Sequence, residues 1–251
     1  MDTARIAALL EPFLESSLPS SQLDQISTYI DLLLRWNARI NLTAIRHPEE
    51  IVTRHFGESL FLARHLFPAI SIPCHPERSR AESEAKGLAK SKDPYSASPP
   101  VLPQGILPAH SNPPRVLDIG SGAGFPALPL KIWAPHIHLT LVESNHKKTA
   151  FLREVARALT LTNINVITDR AEVLSARPGF PRADIVTLRA VEHFETILPQ
   201  AITLLAPKAS LALLISTTQI PHLTTQAKMK WHPPIPVPQS HKRVLSIGIH
   251  E

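Results

Sequence analysis

The stretch "RVLDIGSGAGFPALPL", residues 115–130, runs from apolar positions into Gly120, Gly122 and Gly124, three of only eight glycines in the chain. A short apolar run ending in glycines reads as a buried strand followed by a sharp turn. Glycine tolerates positive φ and carries no side chain, so a ligand can approach the backbone closely there. Downstream the pattern repeats. Strand-like "HLTLVES" (138–144), "INVITD" (164–169), "ADIVTLR" (183–189) and "LALLIS" (211–216) alternate with helix-like "HKKTAFLREVARALTL" (146–161) and "VEHFETILPQAITLLAP" (191–207). Such alternation predicts an α/β fold, a parallel sheet with helices on both faces. The tail, "KMKWHPPIPVPQSHKRVLSIGIHE" (228–251), ends in one more strand-like run, expected to be antiparallel.

Upstream the rhythm is helical. In "SSQLDQISTYIDLLLRW" (20–36), Ser21 and Asp24 stand at capping-box spacing, and Leu23, Ile26, Ile30, Leu33 and Leu34 mark one apolar face. "HPEEIVTRHFGESLFLARHLF" (47–67) opens with Pro48 and two acids and closes with Arg64 and His65, placements that suit a helix dipole. Residues 1–70 are therefore expected to form a small helical unit. Residues 71–114 hold nine of the 25 prolines and show little periodicity, which predicts a flexible linker or insertion. The remaining 115–251 form the sheet-bearing domain.

Composition narrows the function. With 43% hydrophobic residues the chain can bury a core, and no run approaches the eighteen apolar residues of a membrane span. The N-terminus lacks the basic, then apolar, pattern of a signal peptide, so a cytoplasmic address is expected. Cys74 is the single cysteine, which rules out an internal disulfide and a multi-cysteine zinc site. A net charge of +5 allows a phosphate-rich partner without requiring one.

The loop itself reads G-x-G-x-G, with Phe125 and Pro126 where the dinucleotide fingerprint places its third glycine. That departure disfavours NAD and FAD. Asp118, just before the loop, offers negative charge toward an ammonium or sulfonium, while the amides of Gly120 and Gly122 can receive a carboxylate. Glu143 ends the next strand, 23 residues past Gly120, where an acid can accept hydrogen bonds from both ribose hydroxyls. "VITDRAE" (166–172) ends the strand after that, near an expected adenine. Together these features suggest S-adenosylmethionine.

Beyond these residues the sequence resembles a known family. "LLLRWNARINLTAIRHPEEIVTRHFGES" (32–59), the glycine loop, "LTLVESNHKKTAFLREV" (139–155), "RAEVL" (170–174) and "DIVTLRAVEHFETILP" (184–199) resemble the bacterial small-subunit rRNA guanine-N7 methyltransferases, also called glucose-inhibited division protein B. The resemblance covers most of residues 20–215 outside the proline-rich stretch. It implies a Rossmann-like class I S-adenosylmethionine-dependent methyltransferase sheet with a helical unit before it. It further implies that Gly120 and Phe125 contact the cofactor, that Glu143 binds its ribose, and that Ala171 and Glu172 line its adenine pocket. Arg189 would lie beside the cofactor. Lys147, Lys148 and Arg170 would face RNA, the partner being 16S rRNA in the small ribosomal subunit or an assembly intermediate, met by a monomer. Glu58 stands for the family's aspartate, Ala127 for a glycine, and the Lys-Gly after "LALLIS" is missing. His55, on an apolar helix face, reads as structural.

Guanine N7 presents an unprotonated lone pair, so no catalytic acid or base is expected. Cytosine C5 chemistry would need a nucleophilic cysteine, and Cys74 lies in the proline-rich stretch. Adenine amino methylation would need an Asn/Asp-Pro-Pro-aromatic loop where "LRAV" (188–191) stands. A small-molecule or other RNA methyltransferase, a dinucleotide-dependent oxidoreductase and a non-catalytic RNA-binding protein remain as rival readings.

Overall fold

In the computed structural model, the described residues are 1–68, 113–190, 193–223, 225 and 229–251. Except for its last two residues, the proline-rich stretch expected to be a linker lies outside them. The apolar runs of the sequence become β1 (Arg115–Ile119), β2 (His138–Val142), β3 (Ile164–Ile167), β4 (Ala183–Arg189) and β5 (Leu205–Ser216). Three further strands follow: β6 (Met229–Trp231), β7 (Ile235–Pro236) and β8 (Arg243–His250). Their order is β3-β2-β1-β4-β5-β8-β6, with β7 on β8. The first five pair in parallel, and β8 pairs antiparallel with β5 as the tail predicted.

This order fixes where a ligand can go. The chain leaves β1 toward β2 and β3 on one side and later returns to β4 on the other. The crossover helices diverge at that reversal and leave a crevice beyond the carboxyl ends of the strands. α5 (Ala127–Trp133), α6 (His146–Ala158), α7 (Ala171–Ala176) and α8 (Phe194–Thr203) supply those crossovers.

One boundary differs from expectation. The second helix-like run does not extend to 207: α8 stops at Thr203 and β5 already begins at Leu205. Pro207 cannot donate to a helix interior. A register shift against Ala183 and Ile185 absorbs the added strand residues.

The N-terminal helices are α1 (Thr3–Leu10), α2 (Ser20–Asn37), α3 (Pro48–Glu50) and α4 (Glu58–Leu66), with a π-helical stretch, Ile51–Gly57, joining the last two. The capping box at Ser21 is not formed. The carbonyl of Pro19 accepts from Gln22 (3.0 Å) and Leu23 (3.2 Å) instead, so the helix starts at Ser20 and Ser21 falls inside the first turn. Ile26, Ile30 and Leu33 of α2 are buried as their spacing predicts, Leu23 and Leu34 are half-buried, and Tyr29 is buried with them. They share one apolar cluster with Leu128 and Leu130 of α5, Phe151 of α6, and Val116 and Ile185 of the sheet. The N-terminal helices therefore add to the layer that covers one face of the sheet. Among the described residues no helix is long and apolar enough to cross a membrane.

The π stretch re-aims the side chains it carries. Its wider turn changes the angle at which successive positions leave the helix, and such turns recur at functional sites. At its end, Gly57 lets the ring of Phe13 pack closely: a Cβ on that residue would stand 2.7 Å from it. The stretch carries Arg54 and His55 and delivers the chain to Glu58.

Candidate functional site

The glycine loop is folded back over the end of β2. The amides of Gly120 and Ser121 both donate to the carbonyl of Val142, at 2.9 and 3.0 Å. Gly120, Gly122 and Gly124 all have positive φ (69°, 55° and 89°), the left-handed region in which a side chain is strained. The loop needs glycine at these positions.

Glu143 ties this loop to the second strand. One carboxylate oxygen accepts from the amide of Gly122 at 2.9 Å, the other from the amide of Asn145 at 2.8 Å. A carboxylate has about four lone-pair positions, so each oxygen keeps one for a further donor. The side chain is only 7% exposed, and that remaining surface borders a cavity of about 500 Å3. The volume suits a small ligand. It does not suit a diphosphate: the Gly122 amide is already bonded to a carboxylate, whose charge repels phosphate.

The cavity brings together most of the residues singled out from the sequence. Gly120, Gly122, Phe125, Glu143, Ala171, Glu172 and Arg189 all line it, as do Lys148 and Arg170. Lys147 does not; it borders a separate apolar hollow with Trp36 and Ile40. Asn145 caps α6 by accepting from the amides of Lys147 (2.9 Å) and Lys148 (3.2 Å), which puts two cations in a first turn against the helix dipole. Arg170 and Glu172 form no ion pair with each other; the acid beside them, Asp169, pairs with Arg177 at 3.0 Å.

Asp118 departs from the expected place. It shares the strand face of Val116, and its carboxylate sits beneath the loop, 1% exposed, rather than in the cavity wall. Thr187, its neighbour across β4, donates to one oxygen at 2.6 Å, while the other is buried without a partner. A charge facing a ligand's ammonium is not what this geometry offers.

Among the wall residues that were not expected, two from the helical layer form a bonded pair. Thr43 and His55 face the cavity and bond to each other through Thr43 Oγ1 and His55 Nε2 at 2.8 Å. Asn37 holds this corner: its side-chain oxygen accepts from the amides of Leu42 and Thr43, and its amide donates to the Thr43 carbonyl. The run "WNARINLT" (36–43), within the stretch that carries the family resemblance, was the available signal for Thr43. His55 stacks on Phe125 (centroids 4.6 Å, 19° between planes), and Tyr29 also stacks on Phe125 (5.3 Å, 6°). Phe56 meets Phe125 edge-on at 5.1 Å. Each such aromatic pair contributes roughly 0.5–1.5 kcal/mol beyond its buried area. The Tyr29 hydroxyl donates to the carbonyl of Ala123, so the helical layer grips the glycine loop directly.

On the opposite wall, Arg189 reaches from the end of β4 to the N-terminal helices. Its Nη2 donates to the Arg54 carbonyl (2.7 Å) and to Glu58 Oε2 (3.0 Å). Glu58 is 1% exposed and also accepts from Arg54 Nε (3.1 Å) and pairs with Arg243 Nε (3.3 Å).

Two buried groups here titrate in opposite senses. Burial, with the cations Arg189, Arg54 and Arg243 adding to it, holds His55 down to about 3 from 6.5. Burial lifts Asp118 from 3.8 to about 6, against the pull of Thr187 and Arg189 and with a small push from Glu143. The unfolded chain protonates His55 below pH 6.5 and the folded chain does not until about 3, so stability is lost as pH falls through that window. For Asp118 the folded chain holds the proton longer, so stability is lost as pH rises from about 4 to 6. The two slopes, each about 1.4 kcal/mol per pH unit, oppose each other there. Asp118→Asn removes one of them. Between pH 4.5 and 6 the variant is expected to gain about 1–2 kcal/mol relative to the parent, read from urea midpoints. Parallel pH profiles would contradict the assignment.

Comparison with known proteins points the same way. Residues 22–70 and 105–233 match the family described as rRNA small subunit methyltransferase G (GidB). The ribosomal RNA small subunit methyltransferase G of Roseiflexus castenholzii is 36% identical over 201 residues, 77% of this chain and 68% of that protein. Its counterpart in Bacillus subtilis is 32% identical over 183 residues, 72% of this chain and 59% of that protein. The Streptococcus pyogenes serotype M5 protein is 32% identical over 199 residues, 79% and 67% of the two chains. With matches of this extent spanning both the helical layer and the glycine loop, the chain belongs to the rRNA small subunit methyltransferase G family.

Proposed function

We propose that this chain transfers a methyl group from S-adenosylmethionine to N7 of a guanine in 16S rRNA, within the small ribosomal subunit or an assembly intermediate. The observation that carries the cofactor is Glu143, which holds the Gly122 amide and still turns lone pairs toward the cavity. Those lone pairs would take the ribose hydroxyls. Ala171 and Glu172, at the start of α7, would border the adenine; the Gly120 and Gly122 amides, expected from the sequence to receive a carboxylate, are instead spent on the Val142 carbonyl and on Glu143. Phe125, clamped between Tyr29 and His55, would close one wall, and Arg189 the other.

When bound, the cofactor supplies a methyl group on a positively charged sulfur, open to in-line displacement by a lone pair. The chain's task is then alignment and exclusion of water, which in well-oriented systems removes roughly 7–11 kcal/mol of the barrier. Guanine N7 needs no deprotonation, so the reaction calls for no general base. His55 is held neutral by burial and its arginine neighbours, so it adds no charge to repel a sulfonium. Arg189, a cation of the wall, is itself anchored by Glu58. It can present donors to guanine O6 while N7 stays open.

The test is incubation of the purified chain with methyl-labelled S-adenosylmethionine and small subunits from a strain lacking the modification. Label is expected at one guanine, recovered as 7-methylguanine. Binding of NADH in place of S-adenosylmethionine, or label confined to small molecules, would overturn the proposal.

A further inference from the structure

Beside the cavity walled by Glu143 and Arg189 lies a second hollow of about 520 Å3. Arg54, Lys242, Arg243 and His241 line it, with Ser216 and Gln219. None of the described residues around it is acidic. Ala190 borders both hollows, and the chain Arg54–Glu58–Arg189 runs between them.

The charges here do not balance. One buried carboxylate, Glu58, meets three guanidinium groups. Removing a charge from water is costly unless it is matched, and a purely structural bridge would be complete with one arginine. Two positive charges are left over, and Lys242 adds a third at the rim. Arg54 and Arg243 each spend Nε on Glu58, and a guanidinium carries five N–H donors in a planar fork. With Arg54 44% exposed and Arg243 21% exposed, the unspent edges have access to solvent.

Topology says what this surplus faces. The groups suited to the nucleoside, Glu143 and Ala171–Glu172, follow β2 and β3. Arg189 ends β4, Ser216 ends β5 and Arg243 opens the antiparallel β8, all on the other half of the same edge. That half is left for the acceptor, and its lining is basic.

We infer that this hollow is a phosphate site for the RNA strand whose base enters the neighbouring cavity, with Arg54, Lys242 and Arg243 as the groups that hold the backbone. The inference rests on the proposed rRNA activity. It moves the RNA contact away from Lys147, which borders a different hollow, to the opposite end of the sheet. Glu58 serves as the post that aims two guanidiniums outward and one, Arg189, inward.

Binding of small subunits lacking the modification, measured across salt concentrations, tests this. Arg54→Gln combined with Lys242→Gln is expected to weaken binding about tenfold near physiological salt and to lower the slope of log K against log salt by about one to two. Affinity for S-adenosylmethionine, measured by calorimetry, is expected to stay within about twofold, which also shows that the fold is intact. Lys242→Glu, which leaves every partner of Glu58 in place, is expected to produce the same loss on its own. Parent-like affinity and slope in Lys242→Glu would overturn the phosphate site alone. A parent chain that binds S-adenosylmethionine but no small subunits would overturn the rRNA reading and the site together.

Discussion

Glu143→Ala is expected to lower affinity for S-adenosylmethionine by more than about 100-fold in a calorimetric titration. Two charge-assisted hydrogen bonds hold the Gly122 and Asn145 amides at 2.9 and 2.8 Å, and each such bond contributes roughly 1.5–3 kcal/mol. The variant loses both, and with them the acceptors proposed for the ribose. At about 1.4 kcal/mol per factor of ten, even part of that loss reaches the expected figure. Glu143→Gln separates charge from shape. Its amide keeps one oxygen but must turn an NH2 group toward one of two backbone N–H donors, so one bond becomes a repulsion. It is therefore expected to fall nearly as far as alanine. Parent-like cofactor affinity in Glu143→Gln would show that the carboxylate holds neither loop nor ligand.

The second large effect is on folding. Gly124→Ala is expected to cost about 2–5 kcal/mol, read as a drop in the urea midpoint at unchanged slope. Gly124 has φ +89°, and a Cβ there would collide with the Tyr29 hydroxyl and stand 2.6 Å from Leu128 Cδ1. Left-handed backbone costs roughly 1–2 kcal/mol for a residue with a side chain. Moving Tyr29 would also break its bond to Ala123. Gly179, also at positive φ, has open space around it, so Gly179→Ala bears the backbone cost alone and is expected to lose about 1–2 kcal/mol. Equal losses at the two glycines would remove the packing argument.

Local pattern carried most of the sheet. Branched apolar runs gave five strands, the glycines gave the turn after β1, and Glu143 stood where a second strand had to end. What local pattern could not carry was direction and distance. Asp118 was legible as an acid before a loop, yet strand alternation with Val116 turns it under that loop. Tyr29 was not singled out at all, because its partners Ala123 and Phe125 lie nearly a hundred residues on. The π stretch has no periodic signature of its own, and the need for glycine at Gly57 comes from the ring of Phe13, more than forty residues away in the chain. Arg54 stands one helical turn before Glu58, but Arg189 and Arg243 reach that carboxylate from two distant stretches of chain, and only the folded sheet edge brings them to it.

The bond between Tyr29 and the loop also bears on inheritance. A change in the amino-terminal layer that leaves the protein folded and abundant can still release the glycine turn, and its phenotype will then be that of an enzyme lesion. Alleles that abolish methylation are accordingly expected at positions 29 and 56 of the amino-terminal layer as well as in the glycine loop they contact.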